Sequence, residues 1–177
     1  MPYLQLSKGA VKDGLHAIWH AATNEASLAR GALGVRELVY AFSLVGEPSD
    51  GALMARRLAL PAGDHLLRLD RVDFPPGGEA FLHTHQGPGI RVLILGSITI
   101  ETQGSTHTYG PGEPWFETGP DPVHATTHAG EPSAFVRCMV LPAALRGAPS
   151  IRYVRDEDRD RPRSQRYTVF LDEPVTL

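Results

Sequence analysis

The chain has one cysteine, Cys138, in 177 residues. A single thiol closes no internal disulfide, so nothing in the sequence calls for an oxidising compartment. Cys138 lies in the run Ala134-Phe-Val-Arg-Cys-Met-Val-Leu141 and reads as a small core hydrophobe on a strand. An excess of positive charge is also lacking: 17 Lys and Arg stand against 20 Asp and Glu, with no basic cluster, which argues against nucleic acid and anionic membrane as partners. No apolar run is long enough to span a bilayer. The opening Met1-Pro-Tyr-Leu-Gln5 lacks the basic-then-apolar pattern of a signal peptide, so the expected location is the cytoplasm. There is no Gly-x-Ser-x-Gly elbow and no phosphate-binding loop ending in Lys-Ser/Thr. Internal repeats and low-complexity segments are absent as well.

What is abundant is turn punctuation. The sequence holds 18 Gly and 15 Pro, recurring between short apolar runs. The strand-like segments are Val35–Val45, Ala52–Leu60, His65–Phe74, Ala80–His85, Arg91–Leu95, Ser97–Thr102, Thr106–Tyr109, Trp115–Glu117, Val123–His128 and Ser133–Leu141. Many short strands at close spacing predict an all-β sandwich or barrel. Alternation is imperfect within His65–Phe74. Residues 1–34 read as an N-terminal arm with short helices over Ala10–His20 and Asn24–Ala32, which would put His16 and His20 on one helix face. Residues 35–145 form the barrel, and 146–177 a C-terminal loop and strand packing on the barrel or on a partner chain. In that last part Arg155–Arg163 is a self-neutralising solvated loop. Tyr167–Leu171 is a final strand that closes a barrel edge or adds to a second copy, and a homodimer through edge strands is the expected assembly.

The segment Pro75–Gly96 carries the sharpest chemistry. His83 and His85 are two apart, so on a strand both imidazoles face the same side without bending the backbone. His124 follows the turn Gly119-Pro-Asp-Pro122 on a later strand. Three neutral imidazoles suit Fe, Ni, Cu or Zn. His65 and His107 make no comparable grouping and read as surface or hydrogen-bonded strand residues, while His128 shares the strand face of His124 as a spare ligand, a base beside the site or a surface residue.

With Gly77, His83, His85 and Gly96 in place, the segment resembles the first motif of the cupin superfamily, and Gly112 to His124 resembles the second. The resemblance covers residues 65–141 and implies a small single-domain cupin: an antiparallel β-barrel of the jelly-roll type. It also implies one divalent metal ion (Fe, Ni, Zn or Mn) held by His83, His85 and His124. Three departures stand out. Gly89 occupies the place of the usual ligand Glu, the second motif carries one extra residue before its His, and His128 replaces its usual trailing Asn.

Losing that carboxylate raises the charge of the site and favours anionic ligands. Two residues bear on it. Glu117 either reaches the metal or assists proton transfer, or else sits at the rim paired with an arginine. Arg91 faces the interior if its strand is regular, where it needs Glu117 or a substrate carboxylate as partner; a bulge would instead turn it outward. The resemblance therefore implies a dioxygenase-like oxidoreductase acting on a small, anionic organic molecule. The alternatives are a metal-dependent isomerase or lyase, and a small-molecule binding protein with a degenerate site.

Overall fold

In a computed structural model of the chain, residues 1–34 and 39–176 are described. The barrel is built from β6 (His65–Phe74), β7 (Glu79–His85), β8 (Gly89–Leu95), β9 (Ile98–Thr102), β10 (Ser105–Tyr109), β11 (Pro114–Glu117), β12 (Val123–Thr127) and β13 (Ser133–Pro142). With β14 (Ile151–Tyr153) and β15 (Arg166–Val175) they form two antiparallel sheets, ordered β10-β9-β12-β7-β14 and β11-β8-β13-β6-β15. Within these sheets the first barrel strand lies beside the last and the second beside the next to last, and so inward to the β9–β10 hairpin. The pairs β6/β13 and β8/β11 lie in one sheet, and β7/β12 and β9/β10 in the other. This nesting is the jelly-roll order. The short turns that permit it include Gly96, whose φ of +73° is open to glycine and costly for other residues.

The interior between the sheets is apolar at one end, where Val72, Phe74, Leu93, Ile98, Ile100, Trp115, Val123, Ala125 and Phe135 form one cluster. Towards the other end the inward positions of the same strands change character. They carry Arg68, Asp70, His83, His85, Arg91, Glu117 and Arg137, all buried.

The N-terminal part corrects the sequence reading. Its described residues include no helix. It forms a third sheet from β1 (Tyr3–Ser7), β2 (Leu15–His20), β3 (Glu25–Arg30), β4 (Val39–Val45) and β5 (Met54–Arg57), in the order β3-β2-β4-β1-β5. Residues Val35 to Leu38, the start of the strand expected over Val35–Val45, lie outside the described residues. In β2, Leu15, Ala17 and Trp19 are buried in one core cluster, a period of two that the sequence reading passed over in favour of the four-residue spacing of His16 and His20. Asn24, at φ +53°, turns β2 back into β3, a conformation that asparagine tolerates better than most residues. The strands expected to open the barrel, β4 and β5, belong to this sheet instead.

The sheet packs Leu4, Leu6, Trp19, Phe42 and Leu44 against Leu67, Leu69, Ile90, Val92, Val136, Cys138 and Val140 on the outer face of the barrel. That layering explains the imperfect alternation of β6 and the unbroken apolar run of β13. Both strands are covered on two faces. Cys138 is fully buried there, and burial pushes its thiol well above the usual range. His16 pins the far side of the sheet. Its Nδ1 lies 2.7 Å from Ser43 Oγ and its Nε2 lies 2.5 Å from the Gly31 carbonyl oxygen. Replacing His16 by leucine strands both partners, so it is expected to cost about 2 kcal/mol. The effect would be read as a lower urea midpoint at unchanged slope; an unchanged midpoint would show that the two bonds are dispensable.

Candidate metal and anion site

Among the described residues no helix is long and apolar enough to cross a membrane, and the chemistry-bearing side chains gather inside the barrel. His83 and His85 project from β7 into the interior, as the two-residue spacing requires. Their Nε2 atoms stand 3.2 Å apart. The far nitrogen of each ring is already engaged. His83 Nδ1 donates to the Phe81 carbonyl at 2.6 Å, which leaves Nε2 as the bare nitrogen of the neutral ring. His85 Nδ1 lies 3.3 Å from Ser150 Oγ. Burial lowers the pKa of both rings. For His83 the Glu117 charge opposes that shift, while for His85 the Arg137 and Arg91 charges add to it and carry its pKa well below the ordinary value of 6.5. Both rings are therefore neutral at pH 7, the state in which imidazole binds metals.

This has a consequence for stability in acid. Just below pH 6.5 a histidine whose folded-state pKa is depressed holds less of a proton in the native protein than in the unfolded chain. Stability is thus expected to fall as pH drops below 6.5, until the native rings take up the proton in their turn. Urea titrations of chelator-treated protein between neutral and mildly acidic pH check this. A His83→Gln/His85→Gln variant should lose the added slope; the same slope in that variant would assign it to other groups.

Glu117 faces the same space from β11. Its Oε2 lies 3.4 Å from His85 Nε2 and 2.7 Å from Arg91 Nη2, and its Oε1 accepts from Trp115 Nε1 at 2.8 Å. Arg91 faces inward, on a regular stretch of β8. Its Nη1 donates to the Gly89 carbonyl at 2.7 Å. Although Arg91 Nη2 and Glu117 Oε2 are in ion-pair contact, they are poorly aligned, and both atoms lack a true hydrogen-bond partner. Burial lowers the Arg91 pKa to about 10, with Glu117 opposing the shift, so the group stays charged at neutral pH. On the neighbouring β13, Arg137 is clamped by Asp70 through two bonds of 2.7 and 3.0 Å. Burial works against its charge, but Asp70 outweighs it and the pKa is raised.

The structure does not bring His124 to the other two histidines. Val123 and Ala125 of β12 take the inward positions, and Val123 stands directly opposite His83. His124 points to the outer face, where its Nε2 lies 2.8 Å from Glu79 Oε1 and its Nδ1 lies 3.6 Å from Glu101 Oε2. The cause is the extra residue before this histidine: one residue along a strand exchanges the two faces. Among the described residues no three His, Cys, Asp or Glu side chains stand in full ligand geometry about one point.

What the interior offers in place of the expected three-histidine set is two imidazole nitrogens and the Glu117 carboxylate. Glu117 pairs across the ladder with Gly89, the position that lacks its glutamate. The carboxylate comes from the adjacent strand. Two neutral imidazoles, with Nε2 of His83 bare, and a buried carboxylate oxygen without a hydrogen-bond partner suit a divalent ion in chemical type. The phenyl-lined space beside them leaves only about 20 Å³ free, enough for one water-sized species.

No family model matches the chain, and no curated protein sequence matches it. Solved structures do. The polyketide cyclase RemF from Streptomyces resistomycificus is 24% identical over 51% of this chain and 61% of its own, with a TM-score of 0.43. The match therefore spans about three-fifths of that cyclase. A cupin protein from Bacteroides fragilis is 15% identical over 50% of this chain and 84% of its own, with a TM-score of 0.37. A variant of salicylate 1,2-dioxygenase from Pseudoaminobacter salicylatoxidans, in complex with gentisate, is 10% identical over 95% of this chain and 68% of its own, with a TM-score of 0.41. Likeness at this level concerns fold alone, and the fold assignment here rests on the strand nesting and on the paired inward histidines of β7. On those grounds the chain has a jelly-roll barrel with a third sheet laid over its outer face, the barrel type that its resemblance to the cupin superfamily implies.

Proposed function

We propose that the barrel interior is a metal site, with His83 and His85 as nitrogen donors and Glu117 as the carboxylate, and that a small organic anion reaches the ion once the interior widens beyond the roughly 20 Å³ now free. The observation that carries this reading is the convergence of the two Nε2 atoms, 3.2 Å apart, with Glu117 Oε2 at 3.4 Å from His85. A divalent ion bound there supplies Lewis acidity and, if it is iron or manganese, access to oxygen chemistry.

The chain's own residues do the rest. The Phe81 carbonyl and Ser150 Oγ fix the orientation of the two rings. Arg91 and Arg137 place positive charge beside the histidines. Each is balanced by one carboxylate, Glu117 and Asp70 respectively. A dication therefore leaves the buried cluster with a surplus of positive charge, which favours an anionic ligand. Were the ion held by the two histidines without it, Glu117 would instead be placed to exchange a proton at the His85 side of the site. Dioxygenase-like oxidation is the activity this reading puts first, with Lewis-acid isomerisation or elimination as its non-redox form.

A second reading, binding without turnover, draws on the Arg91–Glu117 contact, which engages the carboxylate that an ion would need. Elemental analysis of the purified protein beside His83→Ala and His124→Ala variants tests the proposal. About one metal per chain is expected in the native protein and in the His124 variant, with loss in the His83 variant. Equal metal in all three, or none after reconstitution with Fe(II), Ni or Zn, would remove the metal reading. In metal-loaded protein, oxygen consumption with candidate acids separates the redox form from the non-redox one.

A further inference from the structure

A second cavity, of about 290 Å³, lies on the open side of the barrel between the edge strands β14 and β15. Its floor is the inward face of β6 and β13, and its wall is the segment from Gly147 to Ile151. The charges on that floor are already spent. Arg68 is held by Asp172 through bonds of 2.9 and 3.0 Å and by the Ala148 and Leu145 carbonyls at 2.7 and 2.6 Å. Arg137 is held by Asp70. What remains for a ligand to touch is mostly apolar: Ala148, Pro149, Ile151, Val169 and the Tyr167 ring, over which Arg137 sits at 5.4 Å.

The rim carries a cation of different standing. In the strap joining β14 to β15, Arg159 pairs with Asp156 and Arg161 with Asp158. Arg163 lines the cavity and lies 5.6 Å from the centre of the Tyr153 ring, without an ion-pair partner among the described residues. Beneath it the Tyr153 hydroxyl is buried with no hydrogen-bond partner. Val169, more than half exposed at 52%, forms the opposite lip.

We infer that this cavity is a ligand site in its own right, for a flat and largely apolar molecule bearing one anionic group, seated on Ile151, Val169 and the Tyr167 ring with its anion at Arg163. The volume fits a one- or two-ring compound and the lining offers it no other charge to answer. Arg163 supplies the planar, two-pronged donor that a carboxylate accepts. The site goes beyond the metal reading and stands whether or not an ion is held at His83 and His85. Only Arg137 and Tyr167 line both spaces.

The test is titration calorimetry of the full chain with 2-naphthoate and with neutral 2-naphthamide, with and without a chelator. Saturable binding of naphthoate is expected, unaffected by the chelator. Arg163→Gln should weaken naphthoate about tenfold, the worth of one partly exposed charge-assisted bond, and leave the amide within about twofold. Val169→Trp, at an exposed strand position where folding is not at risk, should fill the cavity and abolish both. Absence of saturable naphthoate binding, affinities unmoved by both variants, or loss confined to the Val169 variant would overturn the inference, the last because it removes the anionic class. Binding lost on chelation would assign the ligand to the metal site and overturn it too.

Discussion

Replacing Glu117 by leucine is expected to cost the fold about 3–5 kcal/mol, far more than an ordinary surface change. The reason is what it leaves behind. Arg91 is 1% exposed, and among the described residues Glu117 is the one carboxylate in contact with it. The variant strands a guanidinium in the barrel interior and frees the Trp115 indole N–H that Glu117 Oε1 accepts. Arg91→Leu alone strands the carboxylate in the same way. The double variant removes both charges and should recover most of the loss, because apolar residues of similar volume are at least as stable as a buried pair. Chemical denaturation of the four proteins closes the cycle. Additive losses, with no recovery in the double variant, would show that the two groups do not depend on each other.

Restoring the motif glutamate is expected to be just as harmful. A Cβ at Gly89 would lie 2.6 Å from the Cys138 carbonyl oxygen and 2.7 Å from Met139 Cγ, closer than side chains come, with Arg91 Nη1 at 3.1 Å. The nearest obstacle is backbone of the adjacent strand and cannot swing away. Gly89→Glu therefore forces β8 and β13 apart and adds a buried carboxylate, at a cost of about 4 kcal/mol. Gly89→Ala meets the same backbone atom and should lose much of this by itself. If Gly89→Glu instead folds with native stability and gains metal affinity, then β8 has room for the side chain and Glu117 is not its substitute.

The barrel was legible because its signals are local. The two-residue step from His83 to His85 fixes a shared face without knowledge of any other strand, and turn residues mark the limits of β6 to β13. The position of His124 was not legible in the same way. The extra residue before it was visible, but its meaning depends on where the turn at Gly119 absorbs that residue, and the ladder shows that it does not restore the face. Glu117 was named as a candidate from its place near the strand end. Its register opposite Gly89 is a property of the β8–β11 pairing, which no spacing along the chain records.

The N-terminal sheet failed for a different reason. Its inward face of Leu15, Ala17 and Trp19 is three residues long, too short to decide between a strand and a helix turn, while His16 and Ile18 between them are also largely covered. The partner that settles it, the outer face of β6, β8 and β13, lies far along the sequence.

The most direct measurement is X-ray absorption at the edge of the bound metal in reconstituted protein, which counts imidazole ligands by their multiple scattering. Two histidines per metal are expected, unchanged in His124→Ala, with an oxygen donor lost in Glu117→Ala. Three histidines per metal, falling to two in His124→Ala, would contradict the account, since it would require β12 to turn its outer face into the barrel.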